Sequence, residues 1–140
     1  MPELVYAIVT DAPVHIAELS ALVSNPQSGA IVTFCGDVRN HDGGKEVASL
    51  LYEIHPSAPE QIKLITQSVI GRFEIEKVAV AHRYGDIAIG ETAFAVAVSA
   101  AHRQAAFDAC SAIVDEVKAK LPIWKHQKFT DGSDEWVNCA

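Results

Sequence analysis

One segment, Glu91–Ala100, constrains the fold more than any other part of the sequence. Large and small apolar residues alternate along it, with one face carrying Phe94, Val96 and Val98 and the other Ala93, Ala95 and Ala97. This alternation predicts a β-strand, because successive side chains of a strand point to opposite faces of its sheet. The alanine face has little bulk, and we therefore expect another element to pack closely against it.

The rest of the chain divides into helix and strand patterns. Apolar residues that recur every three or four positions predict helices, and clusters of β-branched and aromatic residues predict strands. The predicted helices are Pro13–Val23, Ser57–Phe73 and Arg103–Lys120, and the predicted strands are Leu4–Thr10, Gly29–Val38, Glu46–Ile54, Lys77–Tyr84, Glu91–Ala100, Ile123–Phe129 and Glu135–Cys139. Helices mixed with antiparallel hairpins in this way predict an α+β fold, in a single domain over residues 1–140.

Local signals predict how some of these elements begin, turn and pack. Asp42-Gly43-Gly44 is a turn signal, which predicts that Glu46–Ile54 returns as a hairpin alongside Gly29–Val38. Ser57-Ala58-Pro59-Glu60 is typical of a capping box, and Gly85–Gly90 is a predicted turn. The long helix is expected to bury a stripe formed by Phe107, Cys110, Val114, Val117 and Leu121.

The charge balance excludes some partners. The formal net charge is −7, and nucleic acids and anionic membranes both favour a basic face, so neither is an expected partner.

No apolar run approaches the roughly 20 residues of a membrane span, and Met1–Thr10 lacks the basic start of a signal peptide. The cysteines number three, at wide spacings, which favours a reducing compartment. We therefore expect a cytoplasmic protein.

Because positive charge is scarce, the places where it gathers indicate function. His102-Arg103 is predicted to lie where a strand leads into the long helix. A helix N-terminus offers free N–H groups and the positive end of the dipole, which suit a phosphate or a carboxylate. The positive charge of an arginine is unfavourable at the positive end of a helix dipole unless an anion lies between the two. An anion site and an ion pair with Asp108 or a loop carboxylate are both open interpretations.

Lys118 and Lys125 form a second group of cations. Lys118 borders the apolar stripe of the long helix, whereas Lys120 can pair with Glu116 one turn earlier. A lysine held against apolar walls can lose proton affinity and act as an acid, a base or a nucleophile. The alternative is a structural role, which for Lys118 means an ion pair with Asp115.

The third group lies in the predicted turn Arg39-Asn40-His41. Loop tips often bind ligands, although a turn of this composition is also ordinary hairpin chemistry. Cys35 precedes this turn and lacks flanking residues that mark a nucleophile, so we expect a buried, inert thiol, and Cys139 is expected to be incidental. The sequence has no His-Glu-x-x-His or paired Cys-x-x-Cys motif, no Gly-rich phosphate loop and no dinucleotide fingerprint, which argues against a zinc or nucleotide site.

The length of the long helix adds a geometric constraint. Arg103 and Lys118 are fifteen positions apart, which separates their backbones by about 22 Å at 1.5 Å per residue. Two side chains cannot close that gap around one small anion. If both belong to one site, the site must combine the helix start of one chain with the helix end of a symmetry mate, and a twofold dimer then carries two such sites.

Five short motifs stand in a fixed order along most of the chain. They are Phe34-Cys35-Gly36-Asp37-Val38-Arg39-Asn40-His41, Leu51-Tyr52-Glu53-Ile54-His55, His82-Arg83-Tyr84-Gly85, Ser99-Ala100-Ala101-His102-Arg103, and Lys118 through Pro122-Ile123-Trp124-Lys125. Each motif is weak alone. Together, in register from about residue 30 to Val137, they closely resemble the large, catalytic subunits of molybdopterin synthase.

This resemblance implies a fold, a reaction and partners. The fold is an α/β hammerhead with an additional antiparallel β part. The reaction converts cyclic pyranopterin monophosphate to molybdopterin by installing two dithiolene sulfurs. The sulfur donor is a thiocarboxylate on the C-terminal Gly-Gly of a small ubiquitin-like subunit, and the large subunits form a homodimer within a heterotetramer. Neither a resident cofactor nor a metal is implied.

The resemblance also implies roles for particular residues. Arg39, His102 and Arg103 hold the substrate phosphate, with the last two reaching in from the second large subunit. Lys118 lies beside the thiocarboxylate and Lys125 on the substrate side, where they stabilise charge or move protons. The apolar wall around the pterin or the tail is formed by Phe34 and Val114.

The chain departs from the family pattern at two places. His126-Gln127 stands where members often have a basic residue and then Glu, and the stretch after Trp136-Val137 lacks an Arg that some members carry on a longer tail. We therefore expect no auxiliary phosphate contact from the tail. The alternative function is a non-catalytic dimeric module that binds a phosphorylated pterin or a ubiquitin-like tail. Retention of both Lys118 and Lys125 favours the enzyme.

Overall fold

The computed structural model describes residues 1–138, and Cys139, the predicted end of the last strand, lies outside them. The helices are α1 (Ile16–Val23), α2 (Ala58–Ile70) and α3 (Arg103–Lys120). The strands are β1 (Glu3–Thr10), β2 (Ala30–Asp37), β3 (His41–Asp42), β4 (Lys45–Ile54), β5 (Lys77–Arg83), β6 (Gly85–Ile87), β7 (Thr92–Ala100), β8 (Ile123–Phe129) and β9 (Asp134–Val137). None of these helices is long and apolar enough to cross a membrane.

The first sheet has four strands in the order β1-β5-β7-β2. β1 runs parallel to β5, while the β5–β7 and β7–β2 pairs are antiparallel. Helices α2 and α3 pack together on one face, and α1 packs on the other. The main core therefore lies between this sheet and the two longer helices.

Strand β7 has the two faces that its sequence predicts, except at Ala93, which lies in the main core where the pairing with β2 is irregular. The bulky face contributes three buried side chains to the main core, those of Phe94, Val96 and Val98. On the opposite face, Ala95 and Ala97 pack with Leu19 and Val23 of α1. The expectation that an element lies close against the alanine face is confirmed, because a methyl group leaves room for the helix at short distance.

A second, antiparallel sheet follows the order β3-β4-β8-β9, and β6 also pairs with β4. β8 and β9 form the predicted last hairpin. Since α3 leads through Leu121 and Pro122 directly into β8, a central strand of the second sheet begins where the longest helix ends. The predicted fold class is confirmed: the structure is α+β and α/β hammerhead-like, with an additional antiparallel β part.

The predicted hairpin between Gly29–Val38 and Glu46–Ile54 is wrong. β2 pairs with β7 in the first sheet, whereas β4 pairs with β8 in the second. Residues 38–44, the crossing segment, connect the two sheets. The turn signal closes a much shorter hairpin between β3 and the start of β4, with φ angles of 57° at Gly43 and 79° at Gly44. A turn signal specifies a reversal of the chain, but it does not specify how far the preceding strand extends.

Other local predictions are also corrected. α1 begins later than predicted, at Ile16, and α2 ends earlier, at Ile70. The capping box is wrong because Ser57 makes no capping hydrogen bond, and its Oγ lies 2.8 Å from Nδ1 of His55 instead. The predicted turn Gly85–Gly90 contains the short strand β6, which pairs with β4. The boundaries of α3 are as predicted.

The buried face of α3 is rotated relative to the predicted stripe. Cys110, Val117 and Leu121 are buried as expected, but Phe107 is 55% exposed and Val114 is only half-buried. The remaining buried positions belong to Ala106, Ala109 and Ile113. The small residues let the helix approach the sheet closely, whereas the hydrophobicity of individual residues favoured the bulkier Phe107.

Candidate active site

A cavity of about 230 Å³ lies where the end of β2, the crossing segment, the second sheet and the last turn of α3 meet. Its apolar lining includes Leu50, Tyr52, Ala93 and Phe94, and its polar lining comprises Asp37, Arg39, His41, Lys118, Lys125 and Gln127. The fold thus brings together three of the five basic residues predicted for the site. Arg39 is distant in sequence from the two lysines, which belong to neighbouring elements.

Lys118 and Lys125 reach the cavity from different elements. Lys118 lies in the last turn of α3, where a cation interacts favourably with the negative end of the helix dipole. Lys125 is half-buried on β8, opposite Tyr52 of β4. Lys120 pairs with Glu116 at 2.8 Å, as predicted, and does not line the cavity. Of these two helical lysines, the structure therefore directs Lys118 to the cavity.

The carboxylate of Asp42, on β3, lies between Arg39 and Gln127. Nη2 of Arg39 is 3.6 Å from Oδ1 of Asp42, and Nε2 of Gln127 donates a 2.7 Å hydrogen bond to Oδ2 of Asp42. This hydrogen bond, with smaller contributions from the charges of Lys125 and Arg39, lowers the pKa of the Asp42 carboxyl. Asp42 is therefore ionised at neutral pH. Asp42 and Gln127 are additional to the site residues predicted from the sequence, although Gln127 follows Lys125 by two positions on one strand and so shares its face.

A buried histidine packs behind the cavity lining. The His82 ring centroid lies 5.3 Å from that of Phe94 and 4.9 Å from that of Tyr52. Its Nδ1 is 2.8 Å from the carbonyl oxygen of Arg83, which can only accept, so Nδ1 carries the proton. Burial, and to a lesser extent the charge of Lys118, lowers the pKa of His82 to about 4. The ring is therefore neutral at pH 7 and contributes packing rather than charge.

His102 and Arg103 lie at the opposite end of α3 from the cavity. Both are exposed, and His102 lines a separate cavity of about 550 Å³ with residues such as Phe73 and Glu76. None of the ion pairs formed within residues 1–138 includes Arg103. Asp108, its predicted alternative partner, accepts a 2.9 Å hydrogen bond from Gln104 instead. Within one chain, the fold does not bring these two residues to the cavity.

Phe34 and Val114, the predicted apolar wall, do not line the cavity directly. Phe34 is half-buried and packs edge-to-face against Phe94, with ring centroids 5.6 Å apart. It therefore supports a lining residue from behind. Val114 is half-buried on α3 and packs against the main core. Their direct contact with a substrate or a tail stays a prediction.

Cys35 is exposed on β2, so the expectation of a buried thiol is wrong. Its partial burial, together with the charge of Asp37, nevertheless raises the pKa of the thiol. Because the thiolate is the reactive form, this environment favours an unreactive cysteine. No three residues among the His, Cys, Asp and Glu of the described chain are grouped so that they could hold a metal ion.

The fold and the cavity define a class: a small α+β protein with a pocket of three cations suited to an anionic substrate. A family model described as MoaE protein matches residues 9–120. The molybdopterin synthase catalytic subunit 1 of Mycobacterium tuberculosis is 42% identical over 136 residues, covering 94% of this chain and 90% of the relative. The Pyrococcus abyssi molybdopterin synthase catalytic subunit is 40% identical over 124 residues, covering 88% and 83%.

The solved structures agree with these relatives. A crystal structure of molybdopterin synthase from Staphylococcus aureus superposes with a TM-score of 0.86 at 26% identity, covering 94% of this chain and 96% of the other. The chain belongs to the MoaE protein family. The resemblance seen in the five sequence motifs is confirmed.

Proposed function

We propose that this chain is the catalytic subunit of a molybdopterin synthase and converts cyclic pyranopterin monophosphate to molybdopterin. The observation that carries the proposal is the convergence of Arg39, Lys118 and Lys125 on one cavity, in a chain with a net charge of −7. A phosphate ester and a thiocarboxylate are both anions, and three cations can hold them side by side. Membership of the family supports this reaction.

The sulfur donor is a separate, small ubiquitin-like subunit that ends in a Gly-Gly thiocarboxylate. Two observations support this partner. The relatives are named catalytic subunits, which implies a further subunit, and the cavity is small, at about 230 Å³. Glycines without side chains allow an extended tail to approach the walls of such a cavity closely. Two copies of this chain and two donor subunits form the heterotetramer.

The residue types support a division of labour around the cavity. Arg39 binds the substrate phosphate, because its planar fork can donate two parallel hydrogen bonds. Lys118 stabilises the negative charge that develops as the thiocarboxylate sulfur bonds to the substrate, and it can exchange a proton there. Lys125 acts on the substrate side, from a strand whose position is fixed by pairing with β4 and β9.

A second copy of the chain completes each pocket with His102 and Arg103. In support, Arg103 lies about 22 Å along α3 from Lys118 and belongs to no ion pair in residues 1–138. Phe34 and Val114 contribute apolar surface to the completed pocket. We also infer that residues 1–140 form one domain. The wide spacing of the cysteines favours a reducing compartment, and we infer that the chain acts in the cytoplasm.

The test combines the purified chain, a thiocarboxylated donor subunit and cyclic pyranopterin monophosphate, and measures dithiolene product. Wild-type chain should form product. Lys118→Ala should reduce the rate by about 100-fold or more, the scale on which loss of a charge-stabilising or proton-transferring group acts. Lys120→Ala is the matched control, because Lys120 belongs to the same helical turn but pairs with Glu116, and it should remain active.

Other outcomes separate the alternatives. Binding of substrate or donor tail by the wild type without product would favour the non-catalytic binding module. An absence of both binding and product would overturn the proposal. Equal rates for Lys118→Ala and the wild type would show that the reaction proceeds without a contribution from Lys118.

A further inference from the structure

We propose that Asp42 and Gln127 form a positioning pair that fixes Arg39 and the crossing segment over the cavity. The inference rests on the proposed function for the role of Arg39, but its structural part can be tested without any substrate. Both members are additional to the cationic residues considered so far. They act through Arg39 rather than on the substrate.

Gln127 is the anchored member of the pair. It lies on β8, where its backbone pairs with Leu50 of β4 on one side and Glu135 of β9 on the other. Only 3% of the residue is exposed. A side chain amide buried in this way needs a partner, because a buried polar group without a hydrogen bond destabilises the fold. Its Nε2 donates to Oδ2 of Asp42 at 2.7 Å.

Asp42 connects the crossing segment to Gln127 through this hydrogen bond. It belongs to the two-residue strand β3, which pairs only with the start of β4. Such a short strand contributes little order of its own. The hydrogen bond from Gln127 therefore joins the end of the crossing segment to the centre of the second sheet, across 85 positions of sequence.

The second oxygen of Asp42 faces the arginine. Oδ1 is 3.6 Å from Nη2 of Arg39, whose side chain is 65% exposed. At that distance the contact is an ionic attraction rather than a hydrogen bond. It restricts where the guanidinium lies while leaving its donors available to an anion. A long side chain held in place before binding loses less conformational entropy when the anion arrives.

The polarity of the pair provides a selective test. Gln127→Glu puts a carboxylate against that of Asp42, and like charges at this distance repel. The double variant Asp42→Asn/Gln127→Glu again has one amide and one carboxylate, with the direction of the hydrogen bond reversed. Because the double variant restores the net charge beside the cavity as well as the hydrogen bond, repair of hydrogen exchange in residues 38–44, and not of KM alone, is the evidence that the two residues act through each other.

Two measurements are made on each variant of the full chain. Hydrogen exchange of residues 38–44, without substrate, reports the order of the crossing segment. Steady-state kinetics with saturating thiocarboxylated donor report KM and kcat for cyclic pyranopterin monophosphate. Gln127→Glu should speed exchange and raise KM about tenfold, the scale of one hydrogen bond to a charged group, while kcat changes less than twofold. The double variant should recover most of both losses.

Gln67→Glu on the exposed face of α2 and Asp11→Asn in the exposed segment after β1 are matched chemical controls outside the cavity, and they should leave exchange in residues 38–44 unchanged. If Gln127→Glu leaves both hydrogen exchange in residues 38–44 and KM unchanged, the proposal of a positioning pair is refuted. A defect that the double variant does not repair would also overturn it. If the wild type forms no product, the proposed function fails, whereas the exchange data still decide whether the pair orders the segment.

Discussion

Chains that carry Arg103→Ala or Lys118→Ala should be inactive alone and active when mixed. α3 spans the 18 residues Arg103–Lys120. The fifteen positions from Arg103 to Lys118 correspond to about 22 Å of rigid helix. If both residues act in one pocket, as proposed, that pocket takes Lys118 from one copy and Arg103 from the other. In a mixed dimer, one pocket receives both intact residues and the other receives both substitutions.

The same geometry sets the size of the effect. If equal amounts of the two variants exchange at random, about half of the dimers are mixed, and each of these has one intact pocket of two. Product formation should therefore recover to about one quarter of the wild-type rate. This value is also a ceiling for random exchange, because no arrangement of the two variants gives a dimer with two intact pockets.

The assay uses two differently tagged variants, which are incubated until native mass spectrometry detects the mixed dimer. Dithiolene product is then measured with the thiocarboxylated donor subunit and cyclic pyranopterin monophosphate. Mixing Arg103→Ala with Lys120→Ala is the control, because Lys120 pairs with Glu116 and lies outside the cavity lining. Verified mixed dimers without product would refute the composite pocket. Full activity of either single variant would refute the need for that residue.

Three further measurements test the fold around the site. The free energy of unfolding should fall by up to about 3 kcal/mol as the pH is lowered from 6.5, the ordinary pKa of His, to about 4, the pKa of His82 in the fold, because the unfolded chain binds a proton that buried His82 excludes. Urea unfolding of His82→Phe should lack this pH-dependent loss. A pH dependence identical to that of the wild type would contradict the prediction. Gly29→Ala should cost about 1–3 kcal/mol in denaturant unfolding, since its Cβ would lie 2.8 Å from the Ala101 carbonyl oxygen, and an unchanged midpoint would refute that clash. Alkylation with peptide mass mapping should label exposed Cys35 before Cys110, whose pKa burial raises to about 11, and the reverse order would contradict the assigned burial.

The secondary structure elements could be predicted from sequence because their signals are local. Periodicity located each helix and most strands, and the alanine face of β7 correctly indicated a close packing partner. The pairing of strands was not predictable in the same way. β4 buries Val47, Leu50 and Tyr52, a pattern that fits any antiparallel neighbour. The choice of β8 over β2 as that neighbour depends on the whole fold.

The residues of the candidate site also differ in how far the sequence alone could predict them. The cations were recognisable because they are few in an acidic chain and stand in family motifs. Asp42 and Gln127 were not recognisable, because each has an ordinary residue type and their contact joins two distant segments. His82 stood in a motif, but its neutral state follows from burial against Phe94 and Tyr52, which only the fold defines.

Helix α3 links the two halves of the proposed pocket mechanically. Its C-terminal turn carries Lys118 into the cavity of its own chain, and its start carries Arg103, which the proposed pocket takes from a second copy. The helix is seated by Ala106 and Ala109, both fully buried. Because a packed helix moves as a rigid unit, a displacement at these alanines would shift both cations together. In the proposed dimer, the small buried residues of α3 would therefore set the geometry of two pockets at once.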